Sequence, residues 1–176
     1  MSNTPKNVID MRRKDREITD LDSVFEIIEH CHVLHLGMVD DGKPYVVALN
    51  FGYEREGDSL ILYVHCATEG RKLDILRNNP AVFFQMDCAS ELVPGSTERP
   101  CAFSRKYESV MGSGNVEFID DVEKKSYALN KIIQHVGGTD GNLQFPETSL
   151  IHTCVLCIQS NDFTGKQHFN LNFITD

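Results

Sequence analysis

Two adjacent cations, Arg71 and Lys72, stand out because the chain is acidic, with a formal net charge of −9. They follow the segment CATEG and precede Leu73 and Leu76, which have helical spacing. This pattern predicts a short helix that begins near the cations, with Thr68 as a candidate cap. The first turn of a helix presents free backbone N–H groups and the positive end of the helix dipole. Together with two cations, such a turn is typical of an anion site, for which phosphate is the natural ligand.

A histidine, His65, ends a predicted strand a few positions before Arg71. A histidine beside an anion site can donate a hydrogen bond or relay protons near neutral pH. The sequence also permits interpretations of these residues that involve no binding site. Arg71 and Lys72 could be solvated charges on a surface helix, and His65 an ordinary residue at the end of a strand.

Other histidines and cysteines have the side-chain types of metal ligands but not the spacing. His32 and His35 point to opposite faces of a strand, and no second pair of ligands follows them at a suitable distance. Cys154 and Cys157 would also face opposite sides of a strand, whereas redox CxxC pairs begin a helix. The sequence therefore predicts no metal site. It also lacks the GxGxxG, GxxxxGK[ST] and GxSxG motifs.

Size and composition predict one cytoplasmic domain. The 176 residues suit a single domain of ordinary size, which needs neither disulfides nor a metal to fold. No apolar run reaches the roughly 20 residues of a membrane span, and the first residues lack the apolar core of a signal peptide. The six cysteines are therefore expected to remain thiols. The negative net charge argues against nucleic acid as a partner.

Hydrophobic periodicity and turn residues predict a mainly β domain over residues 20–176, preceded by an N-terminal arm over residues 1–19. A loop is predicted over 88–101 and a tail over 161–176. The predicted strands cover 32–39, 44–54, 60–65, 81–87, 103–119 and 151–160, and the predicted helices cover 19–30, 66–80 and 120–138.

The connections between these elements predict the architecture. Hairpin-length links join the first three strands, so they are expected to pair antiparallel. Gly112 and Gly114 predict a bend in the long strand 103–119. Strands and helices do not alternate as in a doubly wound sheet. The predicted fold is an antiparallel β-barrel of six or more strands with peripheral helices.

Five segments in order resemble a known family. They are MRRKDREI, HVLHLGMVDDGKPYVVALNFGYE, LYVHCATEGRKLDILRNNP, KYESVMGSGNVEF and TGKQH, and they span about residues 11–168. The chain resembles the pyridoxamine 5′-phosphate oxidase-like, FMN-binding split β-barrels, and within them the 5-nitroimidazole-resistance (Nim) proteins. This resemblance implies a homodimer with two flavin sites at the subunit interface.

The resemblance also implies roles for particular residues. Arg71 and Lys72 would hold the FMN phosphate, and His65 would be the catalytic residue beside the flavin. The backbone of the strand containing Leu49 would lie along the flavin ring, and the segment around Glu108 would approach from the partner subunit. The implied cofactor-binding residues are Val46, Val47, Ala48, Asn50, His65, Ala67, Arg71, Lys72, Tyr107, Ser109 and Val110.

Two positions depart from the family pattern. Ala48 stands where a proline is frequent, and Glu108 stands where many relatives have a basic residue. The second departure leaves the charge preference of the substrate pocket open.

The resemblance implies an FMN-dependent oxidoreductase, with FAD as the alternative flavin, that reduces nitroaromatic or similar flat electron acceptors. NAD(P)H or a separate reductase would supply the electrons. One alternative is a pyridoxamine or pyridoxine 5′-phosphate oxidase, which needs a second phosphate site; Lys166 and His168 are the late candidates for it. Another is a flavin- or haem-binding module without turnover, in which His32, His35 or His65 would bind haem.

Overall fold

The structure, a computed structural model, describes residues 11–168, without the side chains of residues 89 and 90. Most of the predicted arm, residues 1–10, and the end of the predicted tail, residues 169–176, lie outside this range. The helices are α1 (Leu21–His30), α2 (Arg71–Asn78), α3 (Val122–Gly137) and α4 (Glu147–Ile151). The strands are β1 (Glu17–Ile18), β2 (Leu34–Asp40), β3 (Lys43–Leu49), β4 (Phe51–Glu56), β5 (Ser59–Cys66), β6 (Ala81–Val93), β7 (Ser104–Ile119) and β8 (Cys154–His168).

All eight strands belong to one antiparallel sheet, in the order β3-β2-β6-β7-β8-β5-β4, with β1 paired to β8. The two ends of this order, β3 and β4, follow each other in the chain with only Asn50 between them. Leu49 and Phe51 are two residues apart and can be separated by at most about 7 Å, so the sheet must curl until its ends meet. The predicted antiparallel β-barrel with peripheral helices is therefore confirmed.

Apolar side chains from alternating positions of the strands fill the barrel. Leu60, Leu62 and Val64 of β5 point inward and are fully buried, whereas the intervening Ile61 and Tyr63 face a second cluster outside. Side chains of α1 and α2 complete the inner core. Helix α3 packs over β4 and β5 on the outside and, with α4, covers the second cluster.

The helix ends follow local sequence signals. Asp20 caps α1 by accepting a hydrogen bond from the Ser23 N–H, and Asp121 caps α3 in the same way from the Lys124 N–H. Gly138 ends α3 in the left-handed conformation that glycine adopts without strain. No helix in the described range has the length and apolar character needed to cross a bilayer.

Several predicted boundaries were wrong. The single strand predicted over 44–54 is broken at Asn50 into β3 and β4, which pair with different partners. The first predicted strand begins at Leu34 rather than His32. Part of the predicted loop 88–101 continues β6 to Val93, and part of the predicted tail extends β8 to His168. Both extensions pair with β7, which compensates for their polar and irregular composition.

The bend expected in β7 is present. Its pairing with β8 changes register between Ser113 and Asn115, and a Cβ at Gly114 would lie 2.7 Å from the Gln159 carbonyl oxygen. The glycine permits the two backbones to approach at this bulge.

Candidate functional site

The predicted anion site begins where β5 ends. After Cys66, four residues lead to α2, whose first residue is Arg71. Gly70 is the N-cap, with a φ of 133° that side chains rarely adopt, and its carbonyl accepts hydrogen bonds from the N–H groups of Leu73 and Asp74 at 2.9 and 3.3 Å. The prediction of Thr68 as the cap was wrong, because Gly70 starts the helix without any side-chain cap.

The opening turn of α2 has the features of the predicted anion site. Within residues 11–168, no acceptor takes the backbone N–H groups of Arg71 and Lys72. These N–H groups carry the positive end of the helix dipole. The opposite face of α2 is anchored by Leu73, Ile75 and Leu76, which are buried in the inner core. The turn is therefore held in place while its N–H groups remain available.

The Arg71 side chain lies over the hairpin formed by β2 and β3. Its Nε and Nη2 donate to Asp40 Oδ2 at 3.0 and 2.9 Å, and its guanidinium carbon lies 4.7 Å from the centre of the Tyr45 ring. Arginine has five N–H donors, so the pairing with Asp40 leaves donors for a second anion. Its side chain is 59% exposed, which leaves those donors accessible.

The Lys72 side chain acts instead at the end of β5. It hydrogen-bonds to the Cys66 sulfur, and its charge also acts on the His65 imidazole. The His65 side chain is exposed at the end of β5, and partial desolvation of its ring and then the Lys72 charge hold the pKa of His65 below its ordinary value. His65 is therefore neutral at pH 7, with one ring nitrogen able to donate and the other to accept.

The His65 environment gives the first testable prediction. In the native protein, an NMR titration should find the pKa of His65 below 6.5, the ordinary value for histidine. Lys72→Ala should raise this pKa because the opposing charge is gone, while Lys43→Ala, on the β2–β3 hairpin, should leave it unchanged. Because the folded-state pKa is depressed, the neutral form favours folding above pH 6.5, and this contribution falls as acid protonates the ring. If the pKa of His65 is the ordinary histidine value in both the native protein and Lys72→Ala, the Lys72 ammonium does not lie close to the His65 ring.

The predicted flavin-facing strand is β3, an edge strand that pairs only with β2 among the described residues. Edge strands offer unpaired backbone groups. The side chains of Val46, Ala48 and Asn50 are exposed, whereas Val47 turns inward and packs against the inner core. Only the backbone of Val47 is available to a ligand on the outer face.

A cleft of about 330 Å³ lies on the outer face next to Val46. Its remaining lining residues are His35, Gly37, Phe83 and Gln85. Val46 and Phe83 are 60% and 43% exposed, and His35 Nδ1 is buried without a hydrogen-bond partner in the described structure. The cleft thus combines an apolar wall with an unpaired ring nitrogen. Phe83 and Gln85 were not among the site residues predicted from the sequence. The run AVFFQMD, which has apolar residues on both faces of a strand, was a usable signal for them.

The predicted β7 segment divides between the two faces of the sheet. Val110 is fully buried in the inner core, so its side chain cannot contact a ligand outside, and Ser109 is also buried. Tyr107 is partly exposed, and Glu108 accepts a 3.8 Å hydrogen bond from the Cys88 thiol.

A second basic cluster surrounds Tyr107. The Lys166 Nζ lies 5.7 Å from the centre of the Tyr107 ring, and the His168 ring centre lies 5.8 Å away. Although burial acts to raise it, hydrogen bonds from Lys166 and Arg16 hold the pKa of Tyr107 below its ordinary value. Lys166 and His168 were the candidates for a second phosphate site that the sequence offered near its end. The pairing of β1 with β8 brings Arg16 to the same cluster.

Comparison with known proteins identifies the family. The family profile described as pyridoxamine 5′-phosphate oxidase matches residues 20–167, which is most of the chain. The chain belongs to this family. No curated protein sequence matches it.

Solved structures agree with this placement in the pyridoxamine 5′-phosphate oxidase family. A protein from Bacteroides thetaiotaomicron VPI-5482, described as a candidate 5-nitroimidazole antibiotic resistance protein, is 32% identical over 86% of each chain, with a TM-score of 0.73. The flavocytochrome Anf3 from Azotobacter vinelandii is 22% identical over 92% of this chain and 73% of its own, with a TM-score of 0.73. The FAD and heme binding protein from Mycobacterium smegmatis is 20% identical over 88% and 74%, with a TM-score of 0.71. The last two show likeness of fold alone.

In this member of the pyridoxamine 5′-phosphate oxidase family, the predicted site residues form three groups. His65, Ala67, Arg71 and Lys72 lie at the end of β5 and the start of α2. The residues of β3 form an exposed edge, and Tyr107 belongs to the second basic cluster. Among residues 11–168, no group of three histidine, cysteine, aspartate or glutamate side chains could hold a metal ion.

Proposed function

We propose that this protein is a flavin-dependent oxidoreductase whose FMN phosphate binds at the start of α2. The observation that carries the proposal is the pair of unused N–H groups at Arg71 and Lys72, beside two cationic side chains. A phosphate accepts such charge-assisted hydrogen bonds strongly. FAD contains phosphate as well, so the same turn accommodates either flavin.

The other residues suit the remainder of a flavin. The open edge of β3 supplies backbone donors and acceptors for a heterocyclic ring, and exposed Val46 supplies an apolar contact. Neutral His65 can hold a hydrogen bond or a proton near the ring. When bound, FMN itself supplies hydride and single-electron transfer, while the protein binds, orients and shields it.

We propose a homodimer that covers the outer face of β3, β2 and β6. Val39, Val46 and Phe83 are exposed large apolar side chains on this face. Burying them against a second copy would exclude water from the flavin, and the partner's Tyr107 segment would complete the site. Interfaces of stable dimers typically bury such apolar groups at their centre.

The proposed substrate is a nitroaromatic compound of the 5-nitroimidazole type or a similarly flat electron acceptor. Two observations support it: the 32% identity to the Bacteroides protein and an apolar cleft of a size that admits a planar ring. The proposed electron donor is NAD(P)H, binding transiently, or a separate reductase. The proposed location is the cytoplasm, and the presence of six free thiols supports it.

An anaerobic spectroscopic experiment tests this function. The purified protein is reconstituted with FMN, reduced by NAD(P)H or, if that fails, by dithionite, and then mixed with a 5-nitroimidazole. The expected result is loss of the oxidised-flavin band on reduction and its return on addition of the nitro compound. His65→Gln should slow the return while retaining bound FMN. A reduced flavin that the nitro compound leaves reduced would contradict the proposed substrate, and absence of flavin binding would contradict the whole proposal.

A second candidate function is favoured by the basic cluster around Tyr107. A pyridoxamine or pyridoxine 5′-phosphate oxidase needs a site for the phosphate of its substrate. Arg16 and Lys166 supply cationic donors beside Tyr107, and the ring of His168 lies next to them. A direct assay for pyridoxal 5′-phosphate formation in air separates the two functions. If the product forms and Lys166→Ala abolishes it, this second candidate replaces the first.

A further inference from the structure

Two cysteines face each other across neighbouring strands close to the anion-binding loop. Cys66 is the last residue of β5 and Cys154 the first of β8, and they are directly opposed partners in the antiparallel ladder. Opposed residues in such a ladder have Cα atoms about 4.5–5.5 Å apart. Disulfides need Cα separations of about 4.4–6.8 Å, so the backbone already suits a bond between these residues.

The two side chains also lie on the same side of the sheet. Both are half-buried and pack against the inner core, which brings their sulfur atoms together rather than directing them to opposite faces. The Cys154 thiol donates a hydrogen bond to the Cys66 sulfur. This pair is distinct from Cys154 and Cys157, which face opposite clusters.

The pair is chemically asymmetric. The hydrogen bond from Cys154 and the nearby Lys72 ammonium lower the pKa of Cys66, despite the opposing effect of burial. The same hydrogen bond, with burial, raises the pKa of Cys154. Cys66 is therefore suited to react as a thiolate, while Cys154 retains its proton until Cys66 is attacked.

The other cysteines lack this combination. Burial raises the pKa of Cys157 to about 11, and Cys31 is fully buried. Cys101 is exposed in a short 3-10 helix (Pro100–Ala102), and burial and then the Glu108 charge raise the pKa of Cys88. These residues supply internal comparisons for the reactivity of Cys66.

We propose that Cys66 and Cys154 are a redox-active dithiol, which hydrogen peroxide oxidises to a cross-strand disulfide beside the anion-binding loop. The Cys66 thiolate attacks one peroxide oxygen, the O–O bond breaks, and the departing hydroxide takes a proton to become water. Cys66 is then a sulfenic acid. The Cys154 sulfur attacks the Cys66 sulfur, the S–S bond forms, and the hydroxyl leaves with the Cys154 proton as a second water. Two thiols and one peroxide thus give one disulfide and two waters.

Oxidation changes the charge at the start of α2. The reduced Cys66 thiolate is a partner for the Lys72 ammonium, whereas the disulfide carries no charge. Formation of the bond therefore releases Lys72 from that partner. In a reducing compartment such a disulfide is transient, as in redox-sensing proteins.

Reactivity of the single thiols is the first test. The full-length protein without added flavin is treated with limiting iodoacetamide at pH 7, and labelled peptides are quantified by mass spectrometry. Cys66 should be alkylated at least about tenfold faster than Cys157, because its thiolate fraction is larger. Lys72→Ala should slow alkylation of Cys66 about threefold or more, because the stabilising cation is gone. Equal rates for Cys66 and Cys157 would overturn the proposal.

Mapping of the oxidised protein is the second test. Hydrogen peroxide should produce a peptide linked through Cys66 and Cys154 in the native protein and in the control Cys157→Ser. Cys154→Ser should instead accumulate a sulfenic acid at Cys66, which dimedone traps, and Cys66→Ser should give neither product. Circular dichroism confirms that each variant is folded. A native protein in which peroxide oxidises other cysteines but leaves Cys66 and Cys154 unlinked would refute the dithiol, whether or not flavin binds.

Discussion

Replacing both Arg71 and Lys72 by alanine is expected to weaken FMN binding by at least about 100-fold. Hydrogen bonds to charged groups contribute about 1.5–3 kcal/mol each, so loss of two such donors costs about 3–6 kcal/mol. Each 1.4 kcal/mol corresponds to a factor of about ten in affinity. The backbone N–H groups of the turn remain, so residual binding is expected. Titration of the flavin-free protein with FMN, followed by flavin fluorescence, measures the change.

Riboflavin, which lacks the phosphate, makes this experiment specific. The double variant should lose most of the preference for FMN over riboflavin that the native protein shows. Arg77→Ala is the matched control, because Arg77 lies on the same helix but pairs with Asp74 in its exposed last turn. If the double variant binds FMN as tightly as Arg77→Ala does, the phosphate does not bind at this turn.

Gly52→Ala is expected to cause a large loss of stability. A Cβ at this position would overlap the Lys131 carbonyl carbon and would lie 2.5 Å from the Ile132 nitrogen. Both are backbone atoms of α3, so no side-chain rotation relieves the overlap, and the helix must move away from β4. Overpacking of this kind costs about 3 kcal/mol at the upper end of its usual range.

Thermal unfolding measures this effect. For a domain of this size, each kcal/mol shifts Tm by about 2–4 °C, so Gly52→Ala should lower Tm by about 6–12 °C. Gly137→Ala, in helix α3, is the control, because its added Cβ would meet only Ile133 and Thr139 side-chain atoms at 3.8 Å. Its Tm should be unchanged or slightly higher, since alanine favours a helix over glycine. Equal melting of Gly52→Ala and the native protein would show that α3 does not pack this closely.

Features that depend on neighbouring residues in the chain were predictable. The turn between β2 and β3 has positive φ at Asp41 and Gly42, 47° and 76°, which is the hairpin geometry that a DG pair favours. The caps Asp20 and Asp121 and the terminating Gly138 likewise mark helix ends. Short-range steric and hydrogen-bonding preferences decide these features, so a few consecutive residues are enough to predict them.

The strand boundaries that were predicted wrongly depend on pairing with strands that are distant in the sequence. Nothing in the run VVALNFGYE distinguishes one strand from two, and Asn50 becomes a break only because β3 pairs with β2 and β4 with β5. The extension of β8 to His168 depends in the same way on pairing with β7. Ladder hydrogen bonds can hold polar segments that local composition would assign to loops.

The candidate site shows the same division. Residue types and helix spacing were enough to predict a candidate anion site at Arg71 and Lys72, with the titratable His65 close to it in the sequence. Only the folded chain decides that Arg71 pairs with Asp40 and that Lys72 reaches the sulfur of Cys66. Electrostatic and hydrogen-bonding partners depend on distance in space, which barrel closure sets. The local sequence therefore determined which cationic and titratable side chains stand near the start of α2. The contacts that shift their charges and pKa values arise only when distant strands are brought together by the fold.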